Sequence, residues 1–133
     1  MSSPLTFDSE TVLAFFLGEV AGARVRDLFD EVRNGKAIGY INVVNLTEVY
    51  YILSRLSPAV AEEKQRILRA YGLKVVPVED DGLWREAAKI KCDHSLSLAD
   101  AFAVATAKKF MSRLVVGRDK EFDNVGADVL KMR

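Results

Sequence analysis

Four acidic residues stand out by where they fall: Asp8, Glu48, Asp100 and Asp119. Asp8 directly follows the apolar run Leu5-Thr6-Phe7, and Glu48 closes Asn45-Leu46-Thr47-Glu48 after a β-branched stretch. Asp100 closes Ser97-Leu98-Ala99-Asp100 at the head of an alanine-rich segment, and Asp119 ends Gly117-Arg118-Asp119 just after Leu114-Val115-Val116. Carboxylates are hard oxygen donors suited to Mg2+ or Mn2+. Mg2+ takes one or two of them and keeps water and substrate phosphate as its other ligands, so four acids can serve one ion or two. Two ions roughly 3.5–4 Å apart can clamp the attacking water and the leaving oxygen of an in-line displacement. Bound metal also acidifies water, so such chemistry needs no histidine base. That matters here, because His94 is the only histidine, and it reads as a local structural residue before Ser95. A two-histidine mechanism is excluded, and the chain has no Gly-x-Ser-x-Gly elbow to support a triad. It also lacks a Walker A loop and a Gly-x-Gly-x-x-Gly fingerprint, which removes the usual nucleotide-binding signatures.

The elements that must position these acids follow from periodicity and turn residues. Strands are expected at residues 5–7, 38–44, 73–78 and 114–116, with a short fifth at 129–132. Helices are expected through Val12, Leu13, Phe15, Phe16 and Leu17 to near Gly18, and over residues 23–32, where Val25, Leu28, Phe29 and Val32 share one face. Further helices are expected at 46–56, from Pro58 to Tyr71-Gly72 with Ser57 as N-cap, and at 83–91 and 98–110. Short apolar runs alternating with helical patterns predict an α/β sheet with helices on both faces. If the strands are parallel, all four acids lie along one edge of the sheet. In open α/β sheets, ligands bind in the crevice at that edge, where the strand order reverses.

Each acid also sits where a helix cap would. Asn45 with Glu48 and Ser97 with Asp100 have capping-box spacing, and Asp8 and Asp119 suit simple N-caps. Capping leaves the surroundings of Asp100 unexplained, since it is the only charge from Ala99 to Ala107. A carboxylate leading a buried helix needs a partner, because an unpaired buried charge is costly, and a cation would supply one. Arg118, Lys120, Lys108 and Lys109 lie near this edge in sequence and are candidate contacts for a phosphate backbone, Arg118 foremost because it precedes Asp119. Solvated surface charge is the competing reading for each lysine.

With 133 residues, of which 50% are hydrophobic, the chain suits a single domain spanning 1–133. Lys+Arg and Asp+Glu both number 19, so the zero net charge argues against holding nucleic acid by bulk charge alone. One cysteine, Cys92, excludes an internal disulfide and a thiolate-rich zinc site, and reads as a buried small apolar residue. The start Met1-Ser2-Ser3-Pro4 has no signal-peptide character, and no apolar run reaches the roughly 18 residues that span a bilayer. A cytoplasmic protein with no membrane contact is expected.

The pattern resembles the PIN-domain nucleases, and among them the VapC-type toxins. Four pieces carry the resemblance: Phe7-Asp8-Ser9, Asn45-Leu46-Thr47-Glu48, Ser97-Leu98-Ala99-Asp100 with the helix through Ala107, and Val116-Gly117-Arg118-Asp119-Lys120-Glu121-Phe122. The resemblance implies a PIN-like three-layer α/β sandwich whose parallel sheet has strand order 3-2-1-4-5. It implies a hydrolase, a Mg2+- or Mn2+-dependent endoribonuclease, that forms a homodimer. In the toxin branch it further implies a type II toxin–antitoxin pair with a small antitoxin. Asp8, Asp100 and Asp119 then resemble the principal metal ligands, and Glu48 holds a second ion or orients water. Ser9, Asn45 and Asp123 are candidate supporting residues. One departure stands out: the family often has Ser or Thr two residues before the last acid, and here that position is Gly117.

Three rivals stay open. One is an RNA-processing nuclease of the same fold that is not a toxin. Another is an aspartyl phosphatase with Asp8 as nucleophile and Glu10 as acid, although no anchoring lysine is evident. The last is a non-catalytic, receiver-like or partner-binding domain, whose acids would be caps or a switch site. Tyr50 and Tyr51 on the third expected helix are candidates for an oligomer interface, with core packing the competing role for at least one of them.

Overall fold

The computed structural model describes residues 3–117 and 120–132, with Lys120 described by its backbone only. Arg118 and Asp119 therefore lie outside the described residues. The elements are β1 (Ser3–Phe7), α1 (Ser9–Phe16), α2 (Gly22–Arg33), β2 (Ala37–Asn42), α3 (Val43–Ser54) and α4 (Pro58–Tyr71). They continue with β3 (Lys74–Val76), α5 (Asp81–Asp93), α6 (Leu98–Lys109), β4 (Arg113–Val116), a 3-10 turn at Lys120–Phe122 and β5 (Val129–Lys131). The sheet runs β3-β2-β1-β4-β5, and every neighbouring pair is parallel. This is the expected order, and it reverses direction between β1 and β4.

Two cores lie on opposite faces of the sheet, and β4 shows why. Val115 packs with Phe7, Val12, Phe29 and Leu53 on one side. Leu114 and Val116 pack with Leu83, Ile90, Val104 and Phe122 on the other. Successive side chains of a strand point to opposite faces, so a strand buried on both sides must be apolar along its buried length, as β4 is from Leu114 to Val116. The first face carries a cluster of edge-on rings: Phe29 meets Phe7 at 4.8 Å and Phe15 at 5.0 Å between centroids. The second face is held by α6, whose Ala101, Ala103, Ala105 and Ala107 are all buried. Small side chains let that helix lie close to its neighbours. Close approach is enforced at Gly22 as well, where an added Cβ would fall 2.6 Å from the Ala14 carbonyl oxygen.

The second strand is shorter than its β-branched run suggests. It ends at Asn42, and α3 begins at Val43. Asn42 Oδ1 accepts from the Val44 N–H at 2.8 Å, capping α3, while its amide donates to Thr106 Oγ1 of α6 at 2.9 Å. A cap anchored to another helix thus overrides the strand preference of Val43 and Val44. Ser57 and Pro58 start α4 as expected, and Gly72 ends it in the left-handed conformation. Cys92 departs from expectation: it lies exposed on α5, not in the core. Among the described residues, no helix is long and apolar enough to cross a membrane.

Candidate active site

Asp8 stands at the switch point. Its N–H donates to the Val115 carbonyl at 3.3 Å, across the β1–β4 boundary. It is also the N-cap of α1: Oδ1 accepts from the Thr11 N–H at 2.8 Å, and the Thr11 hydroxyl donates back to the Asp8 carbonyl at 3.1 Å. The residue is completely buried, and among the described residues Oδ2 has no hydrogen-bond partner. Burial pushes the carboxyl up from 3.8 to about 8; the Thr11 bonds oppose this, and the neighbouring charges of Asp100 and Glu10 add to it. A buried, half-satisfied acid that feels two other acids is unfavourable as an anion, and a cation relieves that cost.

Asp100 is the third residue of α6, and its N–H donates to Ser97 Oγ at 3.1 Å, so Ser97 caps the helix as expected. Its burial differs from expectation. Asp100 is only half-buried, and the acid enclosed in the interior is Asp8.

Asn45 corrects a second expectation. It lies inside α3 and does not cap it; Asn42 does. The Asn45 side chain is buried, and its amide donates to Ser9 Oγ at 3.0 Å and to the Ala99 carbonyl at 3.1 Å. One side chain therefore joins the segment after Asp8, the helix of Glu48 and the first turn of Asp100. Ser9 takes part in this junction, its hydroxyl donating to the Asn45 carbonyl at 3.4 Å.

Glu48 and Asp100 line the same cleft, of about 350 Å³, together with Glu10 and Glu19. All four charged side chains described there are carboxylates. Leu13, Leu17 and Ile52 form its apolar wall. A concave surface of one charge sign concentrates counter-ions. Glu10 and Glu19 are absent from the residues expected to form a metal site. Glu10 had a signal, standing two residues after Asp8, whereas Glu19 follows Gly18 past the end of α1 and had none.

Gly117 bears directly on Glu10. A Cβ at Gly117 would fall 2.9 Å from Glu10 Oε1 and 3.2 Å from its Cδ. The Glu10 carboxylate thus lies against the backbone where β4 ends.

The remaining candidates divide. Asp123 pairs with Lys131 at 3.0 Å and is not among the residues lining the cleft. Lys108 and Lys109 are at the opposite end of α6, about 12 Å or more along the helix from Asp100 at roughly 1.5 Å per residue. There they pair with Glu86 at 3.1 Å and Asp80 at 2.6 Å, so their expected closeness to the acidic edge is not found. Tyr50 and Tyr51 are partly exposed on α3. The Tyr50 hydroxyl donates to Glu62 at 3.0 Å, and Arg55 covers the Tyr51 ring. Asp119, Arg118 and the Lys120 side chain are outside the description.

Among the described residues, no three His, Cys, Asp or Glu side chains form a ready-made metal cluster. The donors do suit a hard divalent cation in kind, being all carboxylate oxygens. The orphaned Asp8 Oδ2 is the specific feature that a cation would satisfy.

Fold and site together define an open, parallel α/β domain with an acidic cleft beside its topological switch point. The PIN domain profile matches residues 5–128, and the chain belongs to the PIN-domain family. No curated protein sequence gives a significant match. Among solved structures, the chain is similar to a toxin–antitoxin complex from Klebsiella pneumoniae, with a TM-score of 0.76 and 15% identity over 97% of this chain and 98% of that one. It is similar to VapBC2 from Rickettsia felis bound to a promoter DNA fragment (TM-score 0.75, 14% identity, 96% and 98% covered). It is also similar to VapC20 from Mycobacterium tuberculosis, described as a sarcin–ricin loop cleaving toxin (TM-score 0.72, 18% identity, 96% and 98% covered). At such identities the likeness is one of fold.

Proposed function

We propose that this chain, read as one nuclease domain over 1–133, is a Mg2+- or Mn2+-dependent endoribonuclease and the toxin of a type II toxin–antitoxin pair. The observation that carries the nuclease reading is the buried, unpartnered Asp8 Oδ2 at the β1–β4 switch point, beside two acids of the cleft. The family and the toxin complexes among the similar structures support the toxin branch. Its partners would be an RNA, a small antitoxin and a second copy of the chain, in the cytoplasm.

Asp8, Asp100 and Asp119 would hold the cation, with Glu48 holding a second ion or orienting water. When bound, a divalent cation acidifies water and neutralises charge on the phosphoryl oxygens. Asn45 is a positioning residue, fixing α3 and the head of α6 relative to Ser9. Arg118 and Lys120 are the proposed phosphate contacts. With a net charge of zero, RNA must be held by such local contacts.

The aspartyl phosphatase reading needs an accessible nucleophile. Asp8 is fully buried, with one oxygen bound to the Thr11 N–H, so the geometry disfavours it.

The test is cleavage of structured and single-stranded RNAs with Mn2+, by the wild type and by Asp100→Asn. Asp100→Asn retains the backbone bond to Ser97, so it should fold and lose activity. A wild type that cuts no RNA, and whose melting temperature Mn2+ does not move, would sink the proposal.

A further inference from the structure

We propose that the buried Asn42–Thr106 pair is a positioning device for the acidic cleft, acting with Asn45 to fix α3 against α6 and so to set where Glu48 stands relative to Asp100. The geometric part is independent of any activity; its use in catalysis rests on the nuclease reading above.

The pair is a polar contact in an apolar place. Asn42 and Thr106 are both completely buried, and Thr106 is flanked on α6 by Val104, Ala105 and Ala107, which are buried too. Valine would fill the same space without a hydroxyl, and a buried polar group is costly unless it is hydrogen-bonded. Here each polar atom finds a partner. The Thr106 hydroxyl donates to the Phe102 carbonyl at 2.7 Å and accepts from the Asn42 amide at 2.9 Å. Asn42 Oδ1 accepts from the Val44 N–H at 2.8 Å, starting α3, while the Asn42 backbone stands in register with Val76 of β3. One residue thus joins the sheet, the head of α3 and the second half of α6.

What such a contact adds is direction. α6 packs through Ala101, Ala103, Ala105 and Ala107, whose small side chains offer little relief to interlock with a neighbouring helix. Apolar burial is non-directional, so it holds two helices together without choosing their tilt. Hydrogen bonds do choose. Asn45, one turn after Asn42, donates to the Ala99 carbonyl at 3.1 Å. Ala99 and Thr106 are about 10 Å apart along α6 at roughly 1.5 Å per residue. Attachment at one of them leaves α3 free to swing about that point, and attachment at both fixes its tilt. Glu48 lies one turn beyond Asn45, Asp100 follows Ala99, and both line the cleft. A swing about the Asn45 bond therefore moves Glu48 while Asp100 stays.

The test pairs backbone residual dipolar couplings of the intact chain, which report the angle between α3 and α6, with kcat and KM for RNA cleavage with Mn2+. Thr106→Val removes the acceptor. It should change the angle and lower kcat about ten- to a hundredfold, the effect of a small misplacement, with KM nearly unchanged. Thr106→Ser keeps the hydroxyl and should match the wild type in both. Asn42→Ser keeps a cap oxygen and gives up the amide that reaches Thr106. Combined with Thr106→Val it removes both partners, so the double variant should regain urea midpoint over Thr106→Val yet keep the altered angle and the low kcat. A pair that only stabilises the fold predicts instead that kcat recovers with stability. A double variant with the wild-type angle, or with an altered angle and wild-type kcat, overturns the inference and leaves the nuclease reading standing. If the wild type cuts no RNA, the nuclease reading fails and the angle alone decides: a shift supports the positioning role, and no shift overturns it. Should Thr106→Val fail to fold, Asn42→Ser alone carries the same comparison, since Thr106 still donates to Phe102.

Discussion

The Asn45 side-chain amide donates to the Ala99 carbonyl at 3.1 Å, tying the first half of α3 to the first turn of α6. Ala99 precedes Asp100, and Asn45 lies one turn before Glu48, so this bond sets the distance between two acids of the cleft. The same amide reaches Ser9 Oγ at 3.0 Å. Asn45→Ala should destabilise the protein by about 1–3 kcal/mol, the usual cost of leaving buried polar partners unsatisfied. Asn45→Asp should be worse at neutral pH, because a carboxylate cannot donate to the Ala99 carbonyl and would be a buried charge. Urea unfolding at pH 5 and pH 8 checks the order. The gap between the two variants should narrow at the lower pH, where the introduced carboxyl takes up a proton more readily and can donate again. An Asn45→Asp variant as stable as Asn45→Ala at pH 8 would contradict the bond's role.

The burial of Asp8 predicts how metal-free stability changes with pH. Its carboxyl is raised from 3.8 to about 8 in the folded protein, so between those values the native state holds a proton that the unfolded chain has lost. Stability then falls as pH rises through that window. This is opposite in sign to a carboxylate held by a salt bridge. Asp8→Asn keeps an N-cap oxygen for the Thr11 N–H and removes the ionisation. In EDTA, Asp8→Asn should gain on the wild type in urea midpoint between pH 5 and pH 8. With Mn2+ the wild type should recover stability, and increasingly so as pH rises, while the variant should not. A wild type that gains on Asp8→Asn in EDTA over the same range would show that Asp8 is already compensated by the protein.

Much of the fold was readable because its signals are local. Strand β4 is short, apolar from Leu114 to Val116 and flanked by turns, and the alanine-rich α6 is strongly helical, so their types and order follow from propensity and pattern. The β2–α3 boundary was not readable. Val43 and Val44 favour a strand, and what decides against it is the Asn42–Thr106 bond, between residues far apart in the chain. The site divides in the same way. Asp8, Glu48 and Asp100 could be placed at one edge from the parallel order alone. Which of them is buried depends on packing from both faces of the sheet, and the apolar sequence around Asp100 pointed to the wrong one. Glu10 lay in plain view beside Asp8, yet its place in one cleft with Glu48 and Asp100 is set only by the folding of α1, α3 and α6 together.

Lys108 and Lys109 provide a contrast with the proposed phosphate contacts. Lys109 pairs with Asp80 at 2.6 Å and Lys108 with Glu86 at 3.1 Å, both at the end of α6 away from Asp100. Asp80 also caps α5 through the Leu83 N–H at 2.7 Å, and the nearby Lys109 and this bond hold its carboxyl below the usual range. Exposed pairs of this kind contribute little to stability, and here they join α5 to α6 far from the acids. Lys108→Ala and Lys109→Ala should therefore leave RNA cleavage and its salt dependence close to wild type. Arg118→Ala should weaken RNA binding and flatten the dependence on salt, as loss of a phosphate contact does. Cleavage rates across a salt series for the three variants decide which of these basic residues meets the RNA. A flattened salt dependence for Lys109→Ala would place the RNA path along the α5–α6 face instead.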